Sequence, residues 1–201
     1  MWTIGLSGGI GSGKSSVSLW LKKQAIPVLD ADQTVHRLLS EDHPTIRRIA
    51  QAFGQDILDH QGKINRKALG TKVFDHPEAR KLLEEILHPL VKGKMFSEQM
   101  ALAAAGEKLC VWDVPLLFEA GFNSSMNEVW VVWVTPEIQV ERVMKRDSYT
   151  RAEAELRIKA QWPLEDKIKL ADIVIDNSGT WENTVIQLEN ILARIKKRMG
   201  I

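Results

Sequence analysis

A single cysteine, Cys110, stands among 201 residues, which excludes an intramolecular disulfide and any cysteine-rich zinc site. Lying in an apolar run, it reads as a core residue rather than a nucleophile, and a reducing intracellular compartment fits it. Neither sign of charge dominates. With 27 basic and 26 acidic side chains the net charge is +1, so no overall field draws the chain to nucleic acid or to an anionic membrane, and neither is expected as a partner. No apolar run approaches the about 18 residues of a membrane span, and a charged start followed by a long apolar stretch is missing. Spanning and secretion are therefore not expected, and the expected location is the cytoplasm. Internal repeats, low-complexity tracts and flexible interdomain linkers are also missing. Tyrosine occurs once against seven tryptophans; these are scattered, and those in strand-like runs read as core.

What is present is more specific. Residues 8–15 read Gly-Gly-Ile-Gly-Ser-Gly-Lys-Ser, a full G-x-x-x-x-G-K-[ST] loop. Glycines let the backbone curl with positive φ and turn its amide N–H groups around phosphate oxygens, and a following helix adds its positive N-terminal end. Lys14 reaches the β- and γ-phosphates, and Ser15 places a hydroxyl on a phosphate-bridging Mg²⁺. Context supports the match: residues 2–7 have the character of a short buried strand, and Val17, Leu19, Trp20 and Leu21 fall among polar residues as on a helix. A dinucleotide-binding fingerprint is the rival, since Asp30 and Asp32 follow about 20 residues later. The spacing opposes it, because Gly9, Gly11 and Gly13 alternate as G-x-G-x-G where that fingerprint needs G-x-G-x-x-G. Lys14 and Ser15 have no function in it.

With 44% hydrophobic residues the chain can bury one substantial core, and a single domain over residues 1–201 is expected. Four further strands are expected at 26–29, 109–112, 128–134 and 172–175, with helices between them. Such alternation predicts an α/β fold with a five-stranded parallel sheet flanked by helices, whose fully buried strands become continuously apolar, as residues 129–134 are. Ligands then belong at the carboxyl ends of the strands. Three segments obey this rule: the loop after strand one, Asp30 and Asp32 after strand two, and residues 113–119 after strand three. One cleft should gather them. A final helix over about 181–198 carries Val185, Leu188, Ile191, Leu192 and Ile195 on one face and ends in a basic run. Between 64 and 105 lies a long helical stretch with Leu82, Leu83, Ile86, Leu87, Leu90 and Val91 at helical spacing, read as an inserted subdomain over about 62–107. Pro89 within it should kink the helix or mark its junction.

Several side chains could carry chemistry. Asp30 and Asp32 sit where a carboxylate can face a γ-phosphate, and phosphoryl transfer uses such a group to orient an acceptor hydroxyl and take its proton. Asp32 also precedes a helical pattern, so an N-cap is the competing reading. Arg142 and Arg146, spaced i, i+4, share a helix face, and Arg151 and Arg157 follow. Guanidinium groups on a lid over about 142–170 would stabilise a phosphoryl transition state and exclude water. Equally, Glu141, Asp147, Glu153 and Glu155 interleave with them and could simply pair with them. Asp113, ending an apolar strand, occupies a Walker B-like position. His88 could contact an anionic substrate or serve structure alone. The other four histidines show no metal-ligand spacing.

Taken together, these segments resemble the dephospho-CoA kinase family over essentially the whole chain. The carriers are residues 4–15, Val28-Leu29-Asp30-Ala31-Asp32, Leu87-His88-Pro89-Leu90 and Asp113-Val114-Pro115-Leu116-Leu117-Phe118-Glu119. They continue with residues 142–147, Gln161-Trp162-Pro163-Leu164 with Lys167, and residues 171–179. The resemblance implies phosphorylation of the ribose 3′-hydroxyl of dephospho-CoA by ATP with Mg²⁺, the last step of coenzyme A synthesis, on a core with a helical CoA-binding insert and a lid. It implies Asp32, Lys14 and Arg142 as catalytic residues. Gly9, Gly11, Ser12, Gly13, Lys14, Ser15, Ser16, Arg142 and Asn177 would bind ATP, Asn177 near the adenine. Asp32, His88, Glu119 and Arg146 would bind the acceptor, and Ser15 the metal. Trp162 is bulkier than the residue this lid segment often carries. A monomer or weak homo-oligomer is expected. A nucleoside or nucleoside-monophosphate kinase is the alternative, sharing the loop, the carboxylate and the lid. A nucleotide-sensing switch is disfavoured by the acceptor-side carboxylate, the lid arginines and the lack of an N-K-x-D motif.

Overall fold

The computed structural model describes residues 1–74 and 76–200. Strands β1 (Trp2–Gly8), β2 (Val28–Asp30), β3 (Leu109–Asp113), β4 (Glu128–Trp133) and β5 (Ile173–Asp176) form a five-stranded sheet in the order β2-β3-β1-β4-β5. Around it run α1 (Lys14–Lys23), α2 (Ala31–Ser40), α3 (His43–Phe53), α4 (Arg66–Phe74), α5 (Pro77–Ala104), α6 (Pro136–Asp147), α7 (Arg151–Lys159), α8 (Leu164–Lys169) and α9 (Trp181–Met199). Pairing of β1 with β3, β1 with β4 and β4 with β5 is parallel, with Leu6 opposite Asp113 and Gly8 opposite Val132. The expected α/β fold is the one that forms. Strand two begins two residues later than its apolar run suggests. Ala25, at φ 58°, turns the chain at the end of α1, and the Ile26 N–H bonds back to the Leu21 carbonyl at 3.2 Å.

The chain divides into two compact units, one made of Met1–Val28 with Lys108–Ile201 and the other of Leu29–Glu107. In the first, alternate strand residues supply one apolar face of the sheet. Ile4, Leu6, Leu109, Val111, Trp130, Val132 and Ile175 there meet Val17 and Leu21 of α1 and Leu188, Ile191, Leu192 and Ile195 of α9. Full burial of side chains such as Ile4 and Leu6 contributes about 1.5–3 kcal/mol each. The stripe on α9 is the expected one. Its basic C-terminal turn complements the helix dipole, and the Arg198 guanidinium lies 4.5 Å from the centre of the Trp2 ring. Trp112 and Trp130 are fully buried, as expected of strand tryptophans; Trp130 donates its Nε1–H to Glu128 at 2.7 Å.

The second unit is helical, with its own core of Leu39, Ile46, Ile49, Ile57, Ile64, Leu69, Ile86 and Leu87. It starts at Leu29, so α2 and α3 belong to it together with the helical stretch expected at 62–107. Helix α5 runs unbroken through Pro89 for 28 residues. Pro89 therefore marks no junction; it lies on an exposed side, and its missing N–H costs the helix one i→i−4 bond. Leu82, counted above on the apolar face, is exposed.

Candidate active site

Strand β1 ends at Gly8, α1 begins at Lys14, and five residues curl between them. Gly13, at φ 88°, is the N-cap of α1 and offers no side-chain cap, so the helix presents its first amide groups and the positive end of its dipole to an anion. Two constraints require glycine at this position. An L residue rarely adopts that φ, and an added Cβ would strike the Asn177 amide nitrogen.

That contact belongs to a brace behind the loop. Asn177 donates its Nδ2–H to the Ser12 carbonyl at 2.8 Å, and its Oδ1 accepts from the Thr184 hydroxyl at 2.9 Å. From α6, Arg142 donates to the carbonyls of Ser12 at 3.4 Å and Asn177 at 2.9 Å. Two of its five guanidinium N–H groups are thereby engaged. Asn177 was expected near the adenine; its carboxamide is engaged at both ends within the protein. A second pair of contacts holds the apex of the loop. Gln139 of α6 donates to the Ile10 carbonyl at 2.8 Å, and the Ile10 N–H donates to Gln161 Oε1 at 2.9 Å.

At the front of the loop, Lys14 Nζ pairs with the Asp113 carboxylate. The helix that follows β1 thus meets the end of the adjacent strand β3, as the carboxyl-end rule requires of segments one and three. Beyond Asp113 the chain reaches Glu119, whose Oε1 accepts from Lys167 Nζ at 2.8 Å and from the Trp162 N–H at 3.3 Å. Lys167 is wholly buried and also donates to the Pro115 carbonyl at 3.2 Å. Glu119 Oε2 is buried without a hydrogen-bond partner, as is Ser12 Oγ in the loop.

The two arginines of α6 part company. Arg142 turns inward to the loop, whereas Arg146 forms a bidentate pair with Asp147, at 2.9 and 2.8 Å. Hydrogen bonding between them lowers the Asp147 pKa from its ordinary value and raises that of Arg146. Arg151 pairs with Glu155 at 3.0 Å, so the interleaved acids account for Arg146 and Arg151 but not for Arg142. Ser15 and Ser16 are exposed in the first turn of α1.

Within the helical unit, the ambiguity of Asp30 and Asp32 is resolved. Asp30 is the N-cap of α2, its Oδ1 accepting from the Gln33 N–H at 3.0 Å, and Asp32 lies exposed in the first helical turn. His88 is half-buried on α5. Cys110 is fully buried against Thr3, and burial pushes its thiol up to about 11, which leaves no thiolate for nucleophilic work.

A family model described as dephospho-CoA kinase matches residues 2–183. The chain belongs to the dephospho-CoA kinase family. Dephospho-CoA kinase from Geobacillus kaustophilus is 47% identical to it over 190 residues, 94% of each chain. A solved structure from Thermus thermophilus, TT1252, superposes with a TM-score of 0.80 at 34% identity, covering 96% of this chain and 97% of its own. Dephospho-CoA kinase from Campylobacter jejuni superposes with a TM-score of 0.74 at 27% identity, covering 97% of both chains. Kinases of this family use ATP and a divalent metal. Among the described residues, no helix is long and apolar enough to cross a membrane. Reading the sequence assigned no function to Gln139, Gln161 or Lys167. Gln161 and Lys167 lie in the lid segment that carries the family resemblance, which is a signal of importance without a function attached.

Proposed function

We propose that the chain transfers the γ-phosphoryl group of ATP to the ribose 3′-hydroxyl of dephospho-CoA, giving coenzyme A and ADP, the last step of coenzyme A synthesis. The observation that carries this reading is the family match across residues 2–183. It acts as one kinase domain, 1–201, with a helical acceptor-binding insert over about 62–107 and a lid over about 142–170.

In this reading Gly9, Gly11, Ser12, Gly13, Lys14, Ser15 and Ser16 hold the triphosphate through backbone N–H groups and the Lys14 ammonium. Asp32 orients the 3′-hydroxyl and accepts its proton as the oxygen bonds to the γ-phosphorus. The bond from that phosphorus to the β–γ bridging oxygen breaks, and ADP leaves with the electron pair. Support for Asp32 comes from Asp30, which is itself the N-cap of α2, so that the capping reading belongs to Asp30. Arg142 neutralises the transferring group with the N–H groups that its two backbone bonds leave over. Asn177 holds the loop and the edge of the adenine site from behind. His88 and Arg146 bind the acceptor, and Glu119 shapes its pocket by holding Trp162 and Lys167.

The divalent ion is Mg²⁺. Its candidate protein donor, the Ser15 hydroxyl, is a single hard oxygen, as suits an ion that keeps waters and phosphate oxygens as its other ligands. Held there, it would supply positive charge to offset that of the triphosphate. The protein works in the cytoplasm as a monomer or weak homo-oligomer.

A coupled ADP-release assay with ATP tests the reading, offering dephospho-CoA, AMP and nucleosides in parallel. Turnover on dephospho-CoA is expected, and turnover on AMP or nucleosides with none on dephospho-CoA overturns it.

A further inference from the structure

One residue of the phosphate-binding loop, Ile10, is held at both its N–H and its carbonyl by glutamines from different elements. The Ser12 N–H donates to the Gly9 carbonyl at 3.1 Å, closing a four-residue turn with Ile10 and Gly11 at its centre. Gly11 has φ 78°, the left-handed value a type II turn needs at its third residue. In such a turn the central carbonyl points away from the closing hydrogen bond and needs a partner of its own. Gln139 supplies it at 2.8 Å from α6, while Gln161 accepts the Ile10 N–H at 2.9 Å from the segment joining α7 to α8.

This joining segment lies directly against the loop. A Cβ added to Gly9 would stand 2.6 Å from Gln139 Nε2 and 3.1 Å from Leu164 Cγ, so the loop has no side chain where the two elements press on it. Leu164 is buried, and past it Lys167 and the Trp162 N–H are tied to Glu119. Residues 161–167 are thus fastened at one end to the phosphate-binding loop and at the other to the segment after β3. Helix α7, with its Thr150–Glu153 capping box, springs from this anchored base.

We propose that Gln161 is a positioning residue for the nucleotide: it locks the Ile10 turn to the base of the lid, so that the loop's grip on the triphosphate depends on that base. The proposal rests on the loop holding ATP, as set out above. Gln161 touches no reacting atom; it acts through the backbone of Ile10, which fixes where the neighbouring amide groups point. Loss of the acceptor should weaken nucleotide binding while leaving phosphoryl transfer from bound ATP intact.

The test compares the full chain with Gln161→Met, similar in length but without the amide acceptor, and Gln161→Glu, which keeps an acceptor oxygen. Three quantities are read: exchange of the Ile10 amide hydrogen in protein without nucleotide, the dissociation constant of ADP by titration, and the KM for ATP against kcat. In Gln161→Met, Ile10 exchange should quicken about tenfold and both the ADP dissociation constant and the ATP KM should rise about tenfold, with kcat within twofold. In Gln161→Glu, Ile10 exchange should stay slow. Unchanged Ile10 exchange in Gln161→Met overturns the proposal, as does unchanged ADP affinity, or a fall in kcat with KM unaltered. Wild-type protein that binds ADP but leaves dephospho-CoA unphosphorylated overturns the functional reading instead, with the exchange and ADP arms still deciding the role of Gln161.

Discussion

Lys14, the first residue of α1, and Asp113, the last residue of β3, are ion-paired, with side chains only 13% and 6% exposed. In the proposed function this carboxylate is the partner of the ammonium that meets the β- and γ-phosphates. Lys14→Ala should lower kcat about 10²–10³-fold, the usual loss for one group stabilising transition-state charge. Asp113→Asn keeps an acceptor but removes the charge. It should cost about 1.5–3 kcal/mol in urea unfolding, the range for a hydrogen bond to a charged group, together with a fall in kcat. Wild-type kinetics in both variants would remove the pair from the site.

Asp32 and Asp30 should separate cleanly in mutants. Asp32→Asn is expected to lower kcat about 10²–10⁴-fold with ADP affinity near normal, since only proton acceptance is lost. Asp30→Ala removes the α2 cap and should cost about 1 kcal/mol of stability with ADP affinity unaltered. Steady-state kinetics, ADP titration and thermal melts read all of these, and an unchanged rate in Asp32→Asn would exclude it as the base.

Asn177→Ala removes two hydrogen bonds, leaving the Ser12 carbonyl only its 3.4 Å bond from Arg142 and the Thr184 hydroxyl only its longer contacts with the Asp176 and Thr180 carbonyls. The expected cost is about 1–3 kcal/mol, with a higher KM for ATP because the loop loses its brace. Thr184→Val removes only one of the two bonds and should do less to both quantities. An equal effect of the two variants on KM would show that the Ser12 bond does not matter to the nucleotide.

Asp42 caps α3, accepting from the Thr45 N–H at 3.0 Å, and its hydrogen bonds with the Thr45 side chain and backbone hold its carboxyl below the usual carboxylate range. A folded-state pKa below the unfolded one means stability that is present above the unfolded value and is lost as pH falls through the folded value. Asp42→Ala should therefore lower stability by about 1 kcal/mol at pH 7, with the difference from wild type shrinking below about pH 4. Asp42→Asn, which caps without titrating, should show a smaller difference and no such convergence. Melting curves between pH 3 and pH 7 measure it.

What could be foreseen in the sequence divides along physical lines. The apolar run at 129–134 and the glycines at 9, 11 and 13 announce themselves because burial on both faces and a tight curl each demand particular residues locally. Lys167 does not, since a lysine ordinarily reads as solvated and its burial depends on Glu119, far away in the chain. The positions of Asp30 and Asp32 relative to the helix start are set by where β2 stops, a two-residue margin that pattern alone leaves open. The i, i+4 spacing of Arg142 and Arg146 is real, yet the acceptors that part them, Ser12 and Asn177 for one and Asp147 for the other, are chosen by tertiary geometry. Asn177 was recognisable as a member of the family segment, but nothing in its neighbours reveals that both ends of its amide are occupied.

The central position of β1 bears on the order of events during synthesis. The first strand made lies between β3 and β4, and neither neighbour exists until more than a hundred residues have followed. Meanwhile the helical unit, drawn from the continuous stretch Leu29–Glu107, is complete in the growing chain before β3 begins. A nascent polypeptide therefore carries an apolar strand with both edges open until β3 has been made, the condition under which chaperone contact and pairing with the wrong strand are strongest.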